Sequence, residues 1–431
     1  MKNLLFICIM TALSLAAVDF GEKILDNIYI NGVDVGGLSG FEALEILEIS
    51  CPIGEKEIKI GDNTYTFGDF GAGYDFAAAV GEAVEFSDSG GLFKKMRKKR
   101  DLKSAPMEIS ANFSYDDSKI SEIIGEISAK EYILPVDASY SLENGNFVIT
   151  DEQMGREVDE TALQAEIIAI ILGRVSGATD IPTIQLSPKF TYEDFSKSTQ
   201  LLGGFTTPFD QSRAERAKNL ATASNYLHNQ TILPGETLSV CQVLRPRILE
   251  NGYVEAGQII GGLPAQGVGG GICQISSTLY MAALHAEMDI VERRNHSLMV
   301  AYSGPATDAT IAEGLIDLKI RNHTNYPMLV QSTLNRHSHI VNIYGNESRP
   351  AGRSIAFESV LVETTPHEDK FVECPDLPPN YTQIASFGMD GAKFELHKVI
   401  TENGEEKRTK VNTSTYRPLH RIIKIGVDKS L

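Results

Sequence analysis

The chain has 431 residues and a formal net charge of −18, which excludes nucleic acid as a general partner. Its length allows three or four units. Beyond residue 18 the cysteines are Cys51, Cys241, Cys273 and Cys374, with no Cys-x-x-Cys pair, so neither a zinc knuckle nor a disulfide scaffold is expected.

Residues 1–18 carry Lys2 and then an apolar run from Leu4 to Val18, with Ser14, Ala16 and Ala17 near its end. An apolar core of about 15 residues behind a positive start is the layout of a secretory signal, and it falls short of the about 20 residues of a spanning helix. It is expected to be a cleaved signal peptide or an uncleaved N-terminal anchor, with the rest of the chain outside the cytoplasm. Residues 22–105 are expected to form an α+β unit. Ile28 to Gly37 reads as strand and turn, Phe41 to Ser50 as a helix, and Ile58 to Phe67 as a hairpin through Asp62-Asn63. The basic run Lys94 to Arg100 reads as a solvated face, with anionic wall polymer or lipid head groups as the other reading.

Residues 106–190 are expected to form a second α+β unit. It has a helix from Asp117 to Ala129, a hairpin of Ala138–Leu142 and Phe147–Ile149, and a helix from Asp159 to Ile171. The two units resemble a diverged repeat, because each hairpin leads through a glycine and an aspartate (Gly73 and Asp75, Gly155 and Asp159) into an alanine-bearing helix. A third unit, residues 191–345, is α+β. It has a helix from Asp210 to His228, a turn at Leu233-Pro234-Gly235-Glu236 and a strand from Thr237 to Val243. Residues 354–427 are strand-rich and read as an all-β unit.

Within the third unit, Gly267-Val268-Gly269-Gly270-Gly271-Ile272-Cys273 runs into a helical segment. Glycines permit positive φ and close approach of the backbone. The unpaired N–H groups and positive dipole end of a helix stabilise an anion, and a thiol placed there is pushed toward thiolate. Two plainer readings stand beside this: a phosphate-binding loop, for which the Gly-Lys-Ser/Thr ending is missing, and a small buried cysteine. Ile275, Leu279, Ala282, Ala283 and Ala286 form the apolar stripe of the helix, and Cys273, Ser277 and Tyr280 are expected on another side. His296, before the strand-like Leu298 to Tyr302, is the candidate base, ahead of His285 and His323. Asp308 is the candidate orienting group, with Asn295 and Glu292 behind it.

The chain also resembles known families. Phe205-Thr206-Thr207, Arg216-Ala217-Lys218-Asn219, Leu233-Pro234-Gly235-Glu236, Asn251 to Ala256, Gly267 to Tyr280, Arg294-Asn295-His296-Ser297, Asp308-Ala309-Thr310 and Arg321-Asn322-His323-Thr324 are shared, in order, with the VanW domain. Residues 106–190 are similar to the peptidoglycan-binding domain that often precedes VanW and L,D-transpeptidase domains, and 354–427 to the G-five domain. The loop Leu238 to Arg247, with Cys241, and Asn229 depart from the family pattern.

The resemblance implies an extracytoplasmic cell-wall protein, secreted or membrane-anchored, that acts on peptidoglycan stem peptides and wall glycan without cofactor or metal. It implies a cysteine-dependent L,D-transpeptidase that forms 3→3 crosslinks through a thioester. Cys273 would be the nucleophile, His296 the base and Asp308 its partner. Gly270, Gly271, Gln274, Ser276, Ser277, Tyr280, Arg294 and Asn295 would serve the oxyanion and the substrate. A papain-like wall peptidase or carboxypeptidase, and a non-catalytic wall-binding accessory protein, are the alternatives.

Overall fold

The computed structural model describes residues 19–260 and 263–427; the expected signal or anchor of residues 1–18 lies outside them. Helices and strands mix in an α+β architecture that ends in an all-β region. The chain divides into two compact units: one formed by residues up to Val136 with Met154–Ser187, the other by Asp137–Gln153 with Pro188 onward.

The first unit has two cores, and the chain visits them alternately. In one, Ile28–Ile30 pairs antiparallel with Val33–Asp34 and parallel with Met107–Ile109. The helices Gly40–Ser50 and Phe76–Asp88 close over Ile28, Ile30, Leu47 and Val80. In the other, the hairpin Glu57–Ile60 with Asn63–Thr66 and the helices Asp117–Glu131 and Glu160–Ile171 bury Ile58, Ile60, Phe70, Ile120 and Ile167. The repeat seen in the sequence has a physical counterpart at its helix starts. Asp75 (φ −76°, ψ 74°) and Asp159 (φ −75°, ψ 85°) have nearly the same backbone geometry. Each accepts from the N–H three residues on, satisfying one orphan donor of its helix.

The second unit carries the glycine-loop cysteine. Its main sheet is antiparallel, in the order Gln200–Pro208, Ser338–Gly345, Met328–Leu334, Gln230–Ile232. Helix Ala214–Leu227 packs on Met328–Leu334, and helix Cys273–His285 on Gln200–Pro208. The approach of the latter is so close that a Cβ on Gly203 would fall 2.2 Å from Ala286 N. The hairpin Ser139–Glu143 with Asn146–Thr150, expected in the unit of residues 106–190, belongs instead to this unit, because Tyr140 and Leu142 pack beside Phe190, Phe195 and Leu329.

Three local expectations are corrected. The helix expected from Asp210 begins at Ala214, because Asp210 instead turns on Ser212. The strand expected over Thr237–Val243 stops at Ser239, whose Oγ accepts from Gln242 N and caps the short helix Val240–Val243. Leu298–Tyr302 is irregular; the strand there is Asp289–Glu292, on the other side of His296. Past residue 353, Ser354–Thr365, Gly391–Glu402 and Glu405–Tyr416 form one sheet, and Asp369–Cys374, Arg421–Gly426 and Thr382–Ser386 another.

Candidate functional site

The glycine turn owes its shape to residues without a side chain. Gly269 and Gly271 take φ of +80° and +100°, where a β-carbon is strained. A Cβ on Gly270 would sit 2.5 Å from Ala256 O, and one on Gly271 2.7 Å from Arg216 Cγ. Asn219 fastens the turn from a buried helix position, donating from Nδ2 to Gly270 O (3.1 Å) and Val254 O (2.9 Å). Helix Cys273–His285 starts at the thiol-bearing residue, with no side-chain cap. Among the described residues, the N–H groups of Gly271 and Cys273 are given to no acceptor, whereas Gln274 and Ile275 donate to Gly271 O and Ile272 O.

The helix is buried all round rather than amphipathic: Gln274 to Leu284 are without exception buried. Ser277 and Tyr280 are therefore not on an open side, as the stripe suggested. Cys273 itself is only partly buried, its Sγ 3.6 Å from Thr310 Oγ1 and from Ile311 O.

His296 reaches the thiol from the irregular segment after Asp289–Glu292, and Asp308 holds it. Asp308 Oδ2 accepts from the His296 backbone N–H at 2.7 Å and lies 2.6 Å from Nδ1. Oδ1 accepts from Tyr416 Oη at 2.6 Å and from Arg293 Nη2 at 3.4 Å. The Asp308 side chain is 1% exposed. A buried carboxylate costs heavily unless paired and hydrogen-bonded; although burial opposes ionisation, its bonds to His296 and Tyr416 hold it below the usual carboxylate range.

The same coupling orders the thiol and the imidazole. Burial would raise the thiol, but the neighbouring His296 and its positive charge outweigh it and hold Cys273 at about 7. Burial would lower the imidazole, but Asp308 and the thiol outweigh it and lift His296 to about 9. The imidazole thus keeps its proton where the thiol gives its own up, the order a thiolate–imidazolium pair requires.

The remaining sequence candidates fall at different depths. Ser276 and Ser277 bind inward, both donating to Cys273 O and Ala309 O, which ties the helix start to the Asp308 loop. Gln274 is scaffold to the glycine turn, accepting from Arg216 Nη2 at 2.6 Å and donating to Thr207 Oγ1 and Pro208 O. Tyr280 lies two helical turns from the thiol, beneath the Arg293 guanidinium and bonded to Asn412. Asn295 donates to His296 O and Thr415 O. Arg294 is exposed, and its carbonyl accepts from Thr310 N. His285 stacks on Phe357 at the far end of the helix, and His323 lies 3.7 Å from Asp289; neither approaches the thiol. Among the described residues no group of three or more His, Cys, Asp or Glu is gathered as a metal site.

Four residues with parts here carried no assigned role in the sequence. Tyr302 Oη stands 3.4 Å from His296 Nε2. Arg216 lies over the Tyr302 ring at 5.9 Å and against Gly271. Arg293 donates to Asp308 O (2.8 Å) and Ser414 Oγ (2.9 Å). Tyr416, besides holding Asp308, accepts from Ala306 N at 2.7 Å. Arg216 stood in a shared sequence block that could have flagged it. Tyr416 is remote in sequence, at the end of a strand in the all-β region, and no local pattern marks it.

Comparison with known proteins gives a consistent picture along the chain. Residues 215–344 match the family model described as VanW like protein, 64–179 a peptidoglycan-binding-type domain and 358–428 the G5 domain. The uncharacterized protein YoaR of Bacillus subtilis (strain 168) is 32% identical over 233 residues, covering 54% of this chain and 76% of that protein. The vancomycin B-type resistance protein VanW of Enterococcus faecalis (strain ATCC 700802 / V583) is 31% identical over 161 residues, covering 36% of this chain and 58% of its own length. A solved G5 domain of IgA1 protease is 26% identical, covering 18% of this chain and 94% of that one, with a TM-score of 0.14.

Proposed function

The chain belongs to the VanW-like family and is a cell-wall-associated protein, and from that premise we propose that it is a cysteine-dependent L,D-transpeptidase acting on peptidoglycan stem peptides. The observation that carries the reading is the order Cys273–His296–Asp308 at a glycine-shaped helix start, with the imidazole protonated where the thiol is ionised.

In the proposed reaction the Cys273 thiolate adds to the carbonyl carbon of the third stem residue of a tetrapeptide. The oxyanion is met by the free N–H groups of Gly271 and Cys273, worth about 3 kcal/mol per donor in comparable sites. Collapse breaks the bond to the terminal D-alanine, whose amine takes the proton from His296, and a thioester remains on Sγ. The side-chain amine of a neighbouring stem then attacks the thioester. His296 accepts the proton lost by that amine, the C–S bond breaks, and a 3→3 crosslink is released with the thiolate restored. Arg216, at the rim of the glycine turn, is the cation suited to a stem carboxylate. Transfer of the same thioester to water would make the protein a carboxypeptidase.

Purified protein is incubated with disaccharide-tetrapeptides under reducing conditions and the products are weighed by mass spectrometry. A crosslinked dimer that disappears in Cys273→Ala is expected. Tripeptide alone assigns hydrolysis, and no turnover by the wild type, with the thiol shown to be reduced, refutes the enzymatic reading.

A further inference from the structure

The basic run becomes the helix Leu92–Ser104, with seven lysines and arginines against one aspartate. Three residues at helical spacing hold it to the first unit. Lys95 pairs with Asp88 at 2.7 Å, Lys98 donates to Ser89 O at 2.8 Å and lies over the Phe86 ring, and Leu102 enters the core. The opposite face carries large exposed side chains, with Arg97 and Arg100 within 3.7 and 3.8 Å of Asp101, and it is not an ordinary solvated face. Phe93 is 92% exposed, Leu92 82% and Met96 70%, and at about 100° per residue Arg97, Arg100 and Lys103 lie beside them.

A helix whose apolar residues point away from its own core spends hydrophobic surface on water, which marks an interaction site. We infer that this face docks on an anionic phospholipid leaflet, Leu92, Phe93 and Met96 entering the acyl boundary and the cations meeting head groups. Charge complementarity selects this occupant. The chain carries a net charge of −18, and against that background a helix with seven cations and one aspartate is a segment that a negative surface attracts. A soluble polyanion would satisfy the cations but leave the apolar residues in water.

The chain contains no tryptophan, so Phe93→Trp places a lone reporter on the face in the full-length protein. Its emission is expected to shift to the blue with phosphatidylglycerol vesicles and to stay unchanged with phosphatidylcholine vesicles. Adding Arg97→Gln, Arg100→Gln and Lys103→Gln is expected to weaken the vesicle response about a hundredfold at low ionic strength. Adding Leu92→Ser and Met96→Ser, which keeps every cation, should also weaken it, with far-UV circular dichroism unchanged in both variants. An equal shift with phosphatidylcholine, a shift on adding soluble poly(glycerol phosphate) alone, or a shift that follows protein concentration without vesicles would each overturn the inference, the last assigning the face to a second copy of the chain.

Discussion

Replacing Asp308 by asparagine tests how the thiol is ionised. Asparagine keeps the shape but loses the charge that, with Cys273, lifts His296 to about 9. The imidazole, left with its burial, is then neutral at pH 7, and the thiol loses the positive charge holding it at about 7. If Cys273 returns to its ordinary 9.0, the thiolate fraction at pH 7 drops about fiftyfold, from a half to about one part in a hundred. The more basic thiolate is more nucleophilic by about eightfold over two pH units, so alkylation slows only about sixfold. The assay is iodoacetamide labelling of Cys273 across pH, followed by peptide mass spectrometry. The inflection should move from about 7 to above 8, and above pH 10 the variant should label faster than the wild type. His296→Gln should behave alike and guards against a folding defect peculiar to Asp308→Asn. An inflection unmoved in both variants would refute the coupling and leave the helix terminus alone as the activating group.

Turnover of the tetrapeptide is expected to follow a bell-shaped pH profile. The acid limb lies near 7, where Cys273 regains its proton, and the alkaline limb near 9, where His296 no longer has one to give the leaving amine; a single limb would contradict the pairing. Tyr416→Phe removes a donor from a buried carboxylate and orphans Ala306 N–H, so guanidinium unfolding should show a loss of about 3 kcal/mol with an unchanged slope. Gly270→Ala drives a Cβ to 2.5 Å from Ala256 O, with backbone on both sides of the contact. It should cost at least about 2 kcal/mol and slow Cys273 alkylation; a melting curve and labelling rate like those of the wild type would mean the turn is not shaped as described.

Much of the scaffold is legible in local pattern, and the reason is that short-range chemistry sets it. Asp75, Asp116 and Asp159 each cap a helix where the run of residues leads one to look, because an N-cap is decided within three residues. The hairpins at Ile58 and Tyr140 alternate, as strands with one buried face must, although the first turns at Gly61-Asp62, one residue before the expected Asp62-Asn63. The helix beginning at Cys273 is likewise visible from its glycines and its apolar spacing. Its surroundings are not. An apolar stripe gives the direction of the core, yet it cannot say that a sheet, the Asp308 loop and a distant strand enclose the opposite side as well, so Ser277 and Tyr280 read as open when they are buried.

The sequence by itself determined most of the element types, the glycine-shaped helix start, the cysteine that begins it and the residue types able to serve it. Only the tertiary structure decided that Asp308 is buried, that Arg293 and Tyr416 share it with His296, and that Leu92, Phe93 and Met96 face outward. The physical reason is range. Capping, turn formation and periodicity are settled among neighbours, whereas the pairing of a buried charge requires partners that must converge from segments more than a hundred residues apart. The direction of a helix face depends on which few side chains, here Lys95, Lys98 and Leu102, find something to hold.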